Sequence, residues 1–321
     1  MNDFLAIGET TIDAFIRLGK EAHVTLDKTK GTVSLPAAAK VPFESAEEIP
    51  AVANASNAAV AAARLGLSSA LVANVGSDTN GAKCIERLKQ ENVSTQFVKV
   101  NEGLDTNYHY VLWYEDERTI LQKHSHFPYT LPKMAAPAWL YLTSLGENSL
   151  PFHMEIAAFL REHPETKLAF QPGIFQITFG VEALREIYAR TDIFFCNVEE
   201  AGEILGMQTL GVNELLKRVH ALGPKTVVIT DGPKGAYAYD GENFYTQLPY
   251  PDPKPPFERT GAGDAFASTT VAALALGQDI QTALKWGAVN SMSVVQYVGA
   301  QKGLLNKEKI EEYVKNAPIG F

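Results

Sequence analysis

Short β-prone runs at residues 4–7, 70–75, 139–142, 167–170, 193–196 and 226–230 alternate with stretches of helical periodicity, and that alternation leaves few architectures open. The helical stretches fall at 55–65, 79–91, 152–162, 181–190, 199–206, 213–222, 262–276, 279–297 and 307–315. Strands joined by crossover helices lie parallel and are covered on both faces, which is why such runs read as continuously apolar. The expectation is an α/β fold around a mostly parallel central sheet. Two regions break the rhythm. Residues 12–50 carry β-prone runs, lysine-rich turns and an acidic segment, and 105–127 reads as strand, charged turn, strand, a hairpin pattern.

Bulk properties narrow the function more than the fold. With 321 residues, 46% hydrophobic and 20% charged, the chain has ample core for one large domain or two small ones. A formal charge of −9 argues against a nucleic-acid surface, which needs clustered lysine and arginine. Cys84 and Cys196 stand alone without metal or redox spacing, and no basic region precedes an apolar run at the start, so a reduced, cytoplasmic location is expected. The longest uncharged run, 265–276, is too short to span a bilayer, so no membrane partner is expected. The seven histidines lack zinc spacing and read as surface or substrate-contact residues.

The run Arg259-Thr260-Gly261-Ala262-Gly263-Asp264-Ala265-Phe266-Ala267-Ser268 is the most informative local feature. Small residues continue to Leu276, which suits a buried helix opening at Gly261 to Asp264. The free amides of such an opening bind anions without a lysine. A carboxylate there is either an ordinary N-terminal cap or a base that accepts a proton from an attacking hydroxyl while the amides hold a phosphoryl group. A dinucleotide fingerprint would want glycine where Phe266 stands, and the chain has no Gly-Lys-Ser/Thr of a Walker loop.

Thr260-Gly261-Ala262-Gly263-Asp264-Ala265-Phe266 resembles the C-terminal signature of the ribokinase-like (PfkB) carbohydrate kinases, and five further matches follow the family's order. Gly8-Glu9-Thr10-Thr11-Ile12-Asp13 is similar to its first strand and substrate-binding aspartate. The stretch from Asn57 to Gly66 looks like the helix after its substrate-binding Gly-Gly. Val75-Gly76-Ser77-Asp78 with Gly81 matches a strand-to-helix turn, Asn197-Val198-Glu199-Glu200 an Asn-x-x-Glu motif, and Thr230 to Gly235 a nucleotide-binding strand and turn.

The resemblance implies a three-layer αβα ribokinase-like domain over 1–321, with 12–50 and 105–127 forming a β-sheet lid. It implies an ATP-dependent kinase acting on a hydroxyl of a small sugar, with Asp264 as general base and Gly261, Ala262 and Gly263 as anion hole. Asp13 and Asn57 would hold the substrate. Asn197, Thr230, Gly232, Gly235 and Asn290 would border the nucleotide, and Glu200 would act on Mg²⁺ through water. On the residues alone, Asp13 could be a turn cap, Asn57 a helix cap and Asn290 a plain surface residue. A nucleoside kinase is the alternative acceptor class, since Tyr108, Tyr110, Trp113 or Tyr114 could stack a base. A catalytically silent sugar- or nucleotide-binding member is the alternative of another kind. Homodimerisation through the lid is open, as is monovalent-cation activation, because Glu258-Arg259-Thr260 departs from the family's Asp-Thr-Thr or Asp-Pro-Thr.

One departure bears on the substrate. Val52-Ala53 aligns with the family's Gly-Gly and adds bulk where the backbone approaches the sugar. Glycine at either position would be expected to cost about 0.5–1 kcal/mol of stability through added backbone freedom.

Overall fold

The computed structural model describes residues 2–115, 117–207, 210–257, 259–318 and 320–321. In chain order the first elements are β1 (Phe4–Ile7), β2 (Thr11–Arg17), β3 (Thr25–Asp27), β4 (Thr32–Ser34), β5 (Ser45–Val52), α1 (Asn54–Arg64), β6 (Ser69–Gly76), α2 (Thr79–Gln90) and β7 (Ser94–Asn101). Next come β8 (Tyr108–Tyr114), β9 (Glu117–Lys123), β10 (Trp139–Leu142), α3 (Leu150–Glu162), β11 (Lys167–Phe170), α4 (Ile174–Ala183), α5 (Arg185–Arg190) and β12 (Ile193–Asn197). The remainder is α6 (Val198–Leu205), α7 (Val212–His220), β13 (Thr226–Thr230), β14 (Ala236–Tyr239), β15 (Phe244–Gln247), α8 (Ala262–Ala275), α9 (Ile280–Val294) and α10 (Lys307–Lys315).

Nine strands form the large sheet in the order β15-β14-β13-β12-β11-β10-β1-β6-β7. From β13 to β7 every neighbouring pair is parallel, while β14 and β15 add an antiparallel edge. Strands β1, β10, β11 and β13 coincide with the expected runs because each is apolar on both faces. Phe4 and Ala6 pack into the core under α1, α8 and α9, and Leu5 and Ile7 pack into the core under α3, α5 and α7. The chain moves outward from β1 in both directions, so the order reverses beside β1. Open α/β sheets leave a crevice at the carboxyl ends of the strands at such a point.

Helix α8 is built almost wholly from small residues, and this allows close approach. A Cβ added at Gly287 of α9 would lie 2.5 Å from Thr270 Oγ1 and 2.8 Å from the Phe266 carbonyl. Among the described residues no helix is long and apolar enough to cross a membrane.

The second sheet has the order β5-β2-β8-β9. Its outer pairs are antiparallel, but β2 and β8 run parallel, in the register Asp13↔His109, Phe15↔Val111 and Arg17↔Trp113. Strands β3 and β4 make a separate two-stranded ribbon.

Three features depart from the expected elements. Strand β7 and the hairpin β14–β15 lie at the sheet edges, where half-exposed residues lack the apolar signature of a central strand. The single helix expected over 181–190 is two, α4 and α5, with α4 kinked at Gly180 (φ +81°). Helix α9 stops at Val294, short of 297.

Candidate active site

Asp264 lies in the first turn of α8 and is held on both carboxylate oxygens. Asn57 Nδ2 donates to Oδ2 at 2.9 Å, and Gln171 Nε2 donates to Oδ1 at 3.3 Å. Each donor is oriented from behind. The fully buried Tyr141 hydroxyl donates to Gln171 Oε1, and Gln301 Nε2 donates to Asn57 Oδ1 at 3.1 Å and to the Ala51 carbonyl at 2.6 Å. An amide whose oxygen is already accepting must present its NH₂ to the carboxylate, so the chain of bonds fixes the donors' direction. Burial pushes the Asp264 pKa up, the Asn57 and Gln171 bonds pull it back, and the negative charge of Asp13 raises it further. The raised value is the net result, which suits a proton acceptor better than an ordinary surface aspartate. Asn57 sits one turn inside α1 and is not its cap.

The opening of α8 has the geometry of an anion site. Gly261 is left-handed (φ +77°), and a Cβ there would lie 2.3 Å from the Ala300 Cβ, so glycine is required twice over. The first full helical bond runs from the Ala265 amide to the Gly261 carbonyl at 2.8 Å, leaving the Gly263 and Asp264 amides ahead of it without a helical acceptor. Nothing lies within 4 Å of a Cβ built at Gly263, so its backbone is open to approach.

Ala262 and Gly263 also line a cleft of about 350 Å³, with Thr230, Gly232 and Gly235 on its other side. Pro249, Tyr250, Pro256, Phe266, Met292 and Val295 make its walls apolar, fitting a flat ring, and Arg259 is the cation at its edge. The Pro-rich approach to the signature is therefore part of the cleft wall. Asp231 turns away from it, accepting from Lys234 Nζ at 3.0 Å. Asn290 is a correction. It is fully buried, donating to Thr269 Oγ1 at 2.7 Å and accepting from the Leu305 amide at 2.8 Å, so it ties α9 to α8 and to the chain before α10. One residue along, Ser291 faces the cleft instead. Glu258 lies outside the described residues.

Asn197 and Glu200 form a reciprocal cap at the start of α6. Asn197 Oδ1 accepts from the Glu200 amide at 2.8 Å, and Glu200 Oε2 accepts from the Asn197 amide at 2.9 Å. Burial raises the Glu200 pKa, the Asn197 amide opposes it, and the charges of Glu203, Asp264 and Glu199 add to the rise. Among the described residues no group of three or more His, Cys, Asp or Glu could hold a metal by itself.

The cluster around Asp13 is richer than the sequence motifs suggest. Asp13 is in the middle of β2, not a turn, and is 8% exposed. His109 Nδ1 donates to its Oδ1 at 3.1 Å. Beside them Glu9, 8% exposed, accepts on Oε1 from Asn107 Nδ2 and His124 Nδ1, each at 3.3 Å, and from the Tyr129 hydroxyl at 3.5 Å. The bond to Glu9 raises the His124 pKa, against burial. Alternation along β8 sends His109, Val111 and Trp113 inward. Tyr108 and Tyr110 turn outward, where the Tyr108 hydroxyl meets Glu48 at 3.0 Å, so they do not stack over the site. Trp113 packs edge-on against Phe257 and under the Arg17 guanidinium. Val52 is 1% exposed, and Ala53 holds φ +91°, ψ +162°, a region nearly exclusive to glycine. The alanine thus keeps a glycine's backbone.

Gln171, Gln301, Glu9 and His109 were not singled out in the sequence. Glu9 sits inside the quoted Gly8-to-Asp13 motif and His109 inside the aromatic run, so position offered a signal for both. Gln171 had only its place after a buried strand.

Residues 54–307 match the pattern of the "pfkB family carbohydrate kinase". The chain is 28% identical over 264 residues to the ribokinase of Bacillus subtilis (80% of this chain, 85% of that protein). It is 26% identical over 255 residues to the fructoselysine 6-kinase of Escherichia coli (77% and 90%). In fold it is similar to the nucleoside kinase of Methanocaldococcus jannaschii, at a TM-score of 0.81 and 19% identity over 98% of each chain. It is similar also to Arabidopsis thaliana ribokinase complexed with ribose and ATP, at a TM-score of 0.79 and 19% identity over 98% of this chain and 99% of that one. The fold is therefore ribokinase-like, and the chain belongs to the pfkB family of carbohydrate kinases, phosphotransferases with an alcohol group as acceptor.

Proposed function

We propose that this chain transfers a phosphoryl group from ATP to a hydroxyl, by preference primary, of a small sugar. The observation that carries the reading is Asp264. It is a carboxylate with a raised pKa, placed in the same turn as amides free to hold an anion and facing the charge of Asp13. In this reading Asp264 takes the hydroxyl proton as the oxygen attacks phosphorus, and the Gly261-Ala262-Gly263 loop, with the Gly263 and Asp264 amides free and the Ala262 amide turned to the Arg259 carbonyl at 3.4 Å, forms the anion hole for the charge spreading over the phosphoryl oxygens. Asp13 and Asn57 orient the acceptor. Thr230, Gly232 and Gly235 border the nucleotide, whose ring lies against the apolar wall. Mg²⁺, when bound with the nucleotide, neutralises phosphate charge, and Glu200, braced by Asn197, holds its water shell.

A sugar is favoured over a nucleoside because Tyr108 and Tyr110 face outward and the inward Trp113 is already packed against Phe257 and Arg17, leaving carboxylates, amides and histidines around Asp13. Pairing of two copies through the lid is supported by β9, exposed along its length, with its Leu121 52% exposed and the facing Tyr110 of β8 48%. Sedimentation of wild type against Leu121→Glu tests that pairing.

Coupled ADP release over a panel of sugars and nucleosides tests the function. At least one sugar should be turned over, and Asp264→Asn should lower kcat about a hundredfold or more while ATP affinity stays within a few-fold. ATP binding without ADP release for any acceptor would identify a silent binder, and turnover of nucleosides alone would move the substrate class.

A further inference from the structure

The acceptor end contains a polar atom whose purpose the fold leaves unexplained. His109 is 8% exposed, and its Nε2 is buried with no hydrogen-bond partner among the described residues. Buried nitrogens left unpaired are rare enough that each calls for a reason. The tautomer follows from the partner. A carboxylate only accepts, so the 3.1 Å contact to Asp13 consumes a proton on Nδ1, and in the neutral ring Nε2 carries a lone pair. The ring also cannot turn aside easily, since His124 packs against it at 5.4 Å between centroids and is itself tied to Glu9. Parallel pairing sets Asp13 and His109 side by side on the inward face of the lid sheet. Two acceptors then stand on adjacent strands as direct register partners, close enough together to receive donors from one small ligand.

We propose that His109 is a specificity-determining residue of the phosphoryl-acceptor site: Asp13 holds its ring, and its Nε2 accepts a hydrogen bond from an acceptor hydroxyl adjacent to the one bound by Asp13. The acceptor class is thus an uncharged vicinal diol. This rests on the kinase reading above and adds to it a residue and a stereochemical demand. Glu9, Asp13 and Asp264 receive their bonds from histidine, tyrosine and amide side chains, a setting that repels a phosphate ester on the acceptor.

The probes are D-ribose, D-fructose and cytidine, their partners 2-deoxy-D-ribose, 3-deoxy-D-fructose and 2′-deoxycytidine, and fructose 6-phosphate. For the acceptor that is used, wild type should favour the diol over its deoxy partner by about a hundredfold or more in kcat/KM, because the analogue leaves Nε2 unpaired. His109→Asn keeps an NH₂ near the Nδ1 position for Asp13 but removes the Nε2 acceptor. It should lower kcat/KM for the diol about thirtyfold or more, mainly through KM, bring diol and deoxy partner within about threefold, and leave KM for ATP and Tm unchanged. His109→Gln, with its polar end near Nε2, should retain part of the preference, which a purely structural histidine would not. Wild-type discrimination in His109→Asn overturns the inference, as does turnover of fructose 6-phosphate alone, which leaves the kinase reading standing. If no acceptor elicits ADP release, the kinase reading fails and calorimetric binding of the same compounds decides His109. A diol preference of about tenfold that disappears in His109→Asn upholds it, and any other result, including no binding, overturns it.

Discussion

Gln171, outside the family's motifs, and Ala53, a departure from one of them, show how single residues tune this site. The Gln171 bond to Asp264 favours the charged carboxylate and so opposes the rise caused by burial. Gln171→Leu removes that opposition, so the Asp264 pKa should climb and the acidic limb of kcat/KM against pH should move to higher pH. An unmoved limb would mean that the bond is absent in the working enzyme. Ala53 reverses the expectation from sequence. Holding a Cβ at φ +91°, ψ +162° costs of order 1–3 kcal/mol, more than the roughly 0.5–1 kcal/mol of backbone freedom that glycine would add. Ala53→Gly should therefore stabilise the protein by about 1 kcal/mol in urea unfolding. Val52→Gly, at a site 1% exposed, should destabilise it by about 2 kcal/mol or more.

At the scale of elements, the motif from Val75 to Gly81 is a clamp between the large sheet and the lid. Asp78 caps α2 through the Gly81 amide at 2.8 Å. It also accepts from the Thr106 amide at 3.0 Å and the Thr106 hydroxyl at 2.6 Å, just before β8 begins. Burial alone would raise the Asp78 pKa, but these bonds outweigh it and hold the group below the usual carboxylate range. Gly76 and Gly81 are needed for the approach, since a Cβ would come within 2.2 Å of the Leu104 carbonyl or 2.3 Å of the Gly76 carbonyl. Asp78→Ala should cost about 1–2 kcal/mol as a lost cap. Because the same carboxylate anchors β8, hydrogen exchange should quicken across Tyr108–Tyr114 more than in β1. Equal protection in both strands would separate the cap from the lid.

Across the whole molecule, His153 ties stability to pH. It is fully buried in α3, Nδ1 donating to the Ser149 carbonyl at 2.8 Å, and burial pushes its pKa down to about 4 against that bond. Unfolded histidine titrates near ~6.5. Between those values the unfolded chain binds a proton that the folded one refuses, so stability falls as pH drops from about 6.5 to about 4 and this contribution then levels off. At pH 5 the loss relative to pH 8 is about 2 kcal/mol. Urea unfolding at both pH values should show a drop smaller by about that amount in His153→Phe, whatever that variant's absolute stability. Parallel pH dependence in the two proteins would exclude this origin.

The chain's own order of residues determined the parallel sheet, because strands apolar on both faces and helices of one apolar stripe admit little else. It determined the opening of α8 as well, since the left-handed Gly261 is a local requirement of a single turn. Nothing in the sequence could pair Asn57 with Asp264, 207 positions apart, or route Tyr141 and Gln301 behind that pair, for these bonds exist only once β10, β11, α1 and α8 converge. The same holds for Asp13 and His109, 96 positions apart, whose contact depends on parallel register between β2 and β8. Asn290 marks the converse. The resemblance put it beside the nucleotide, yet one residue is about 100° of helix, and that rotation sends it into the core while Ser291 faces the cleft.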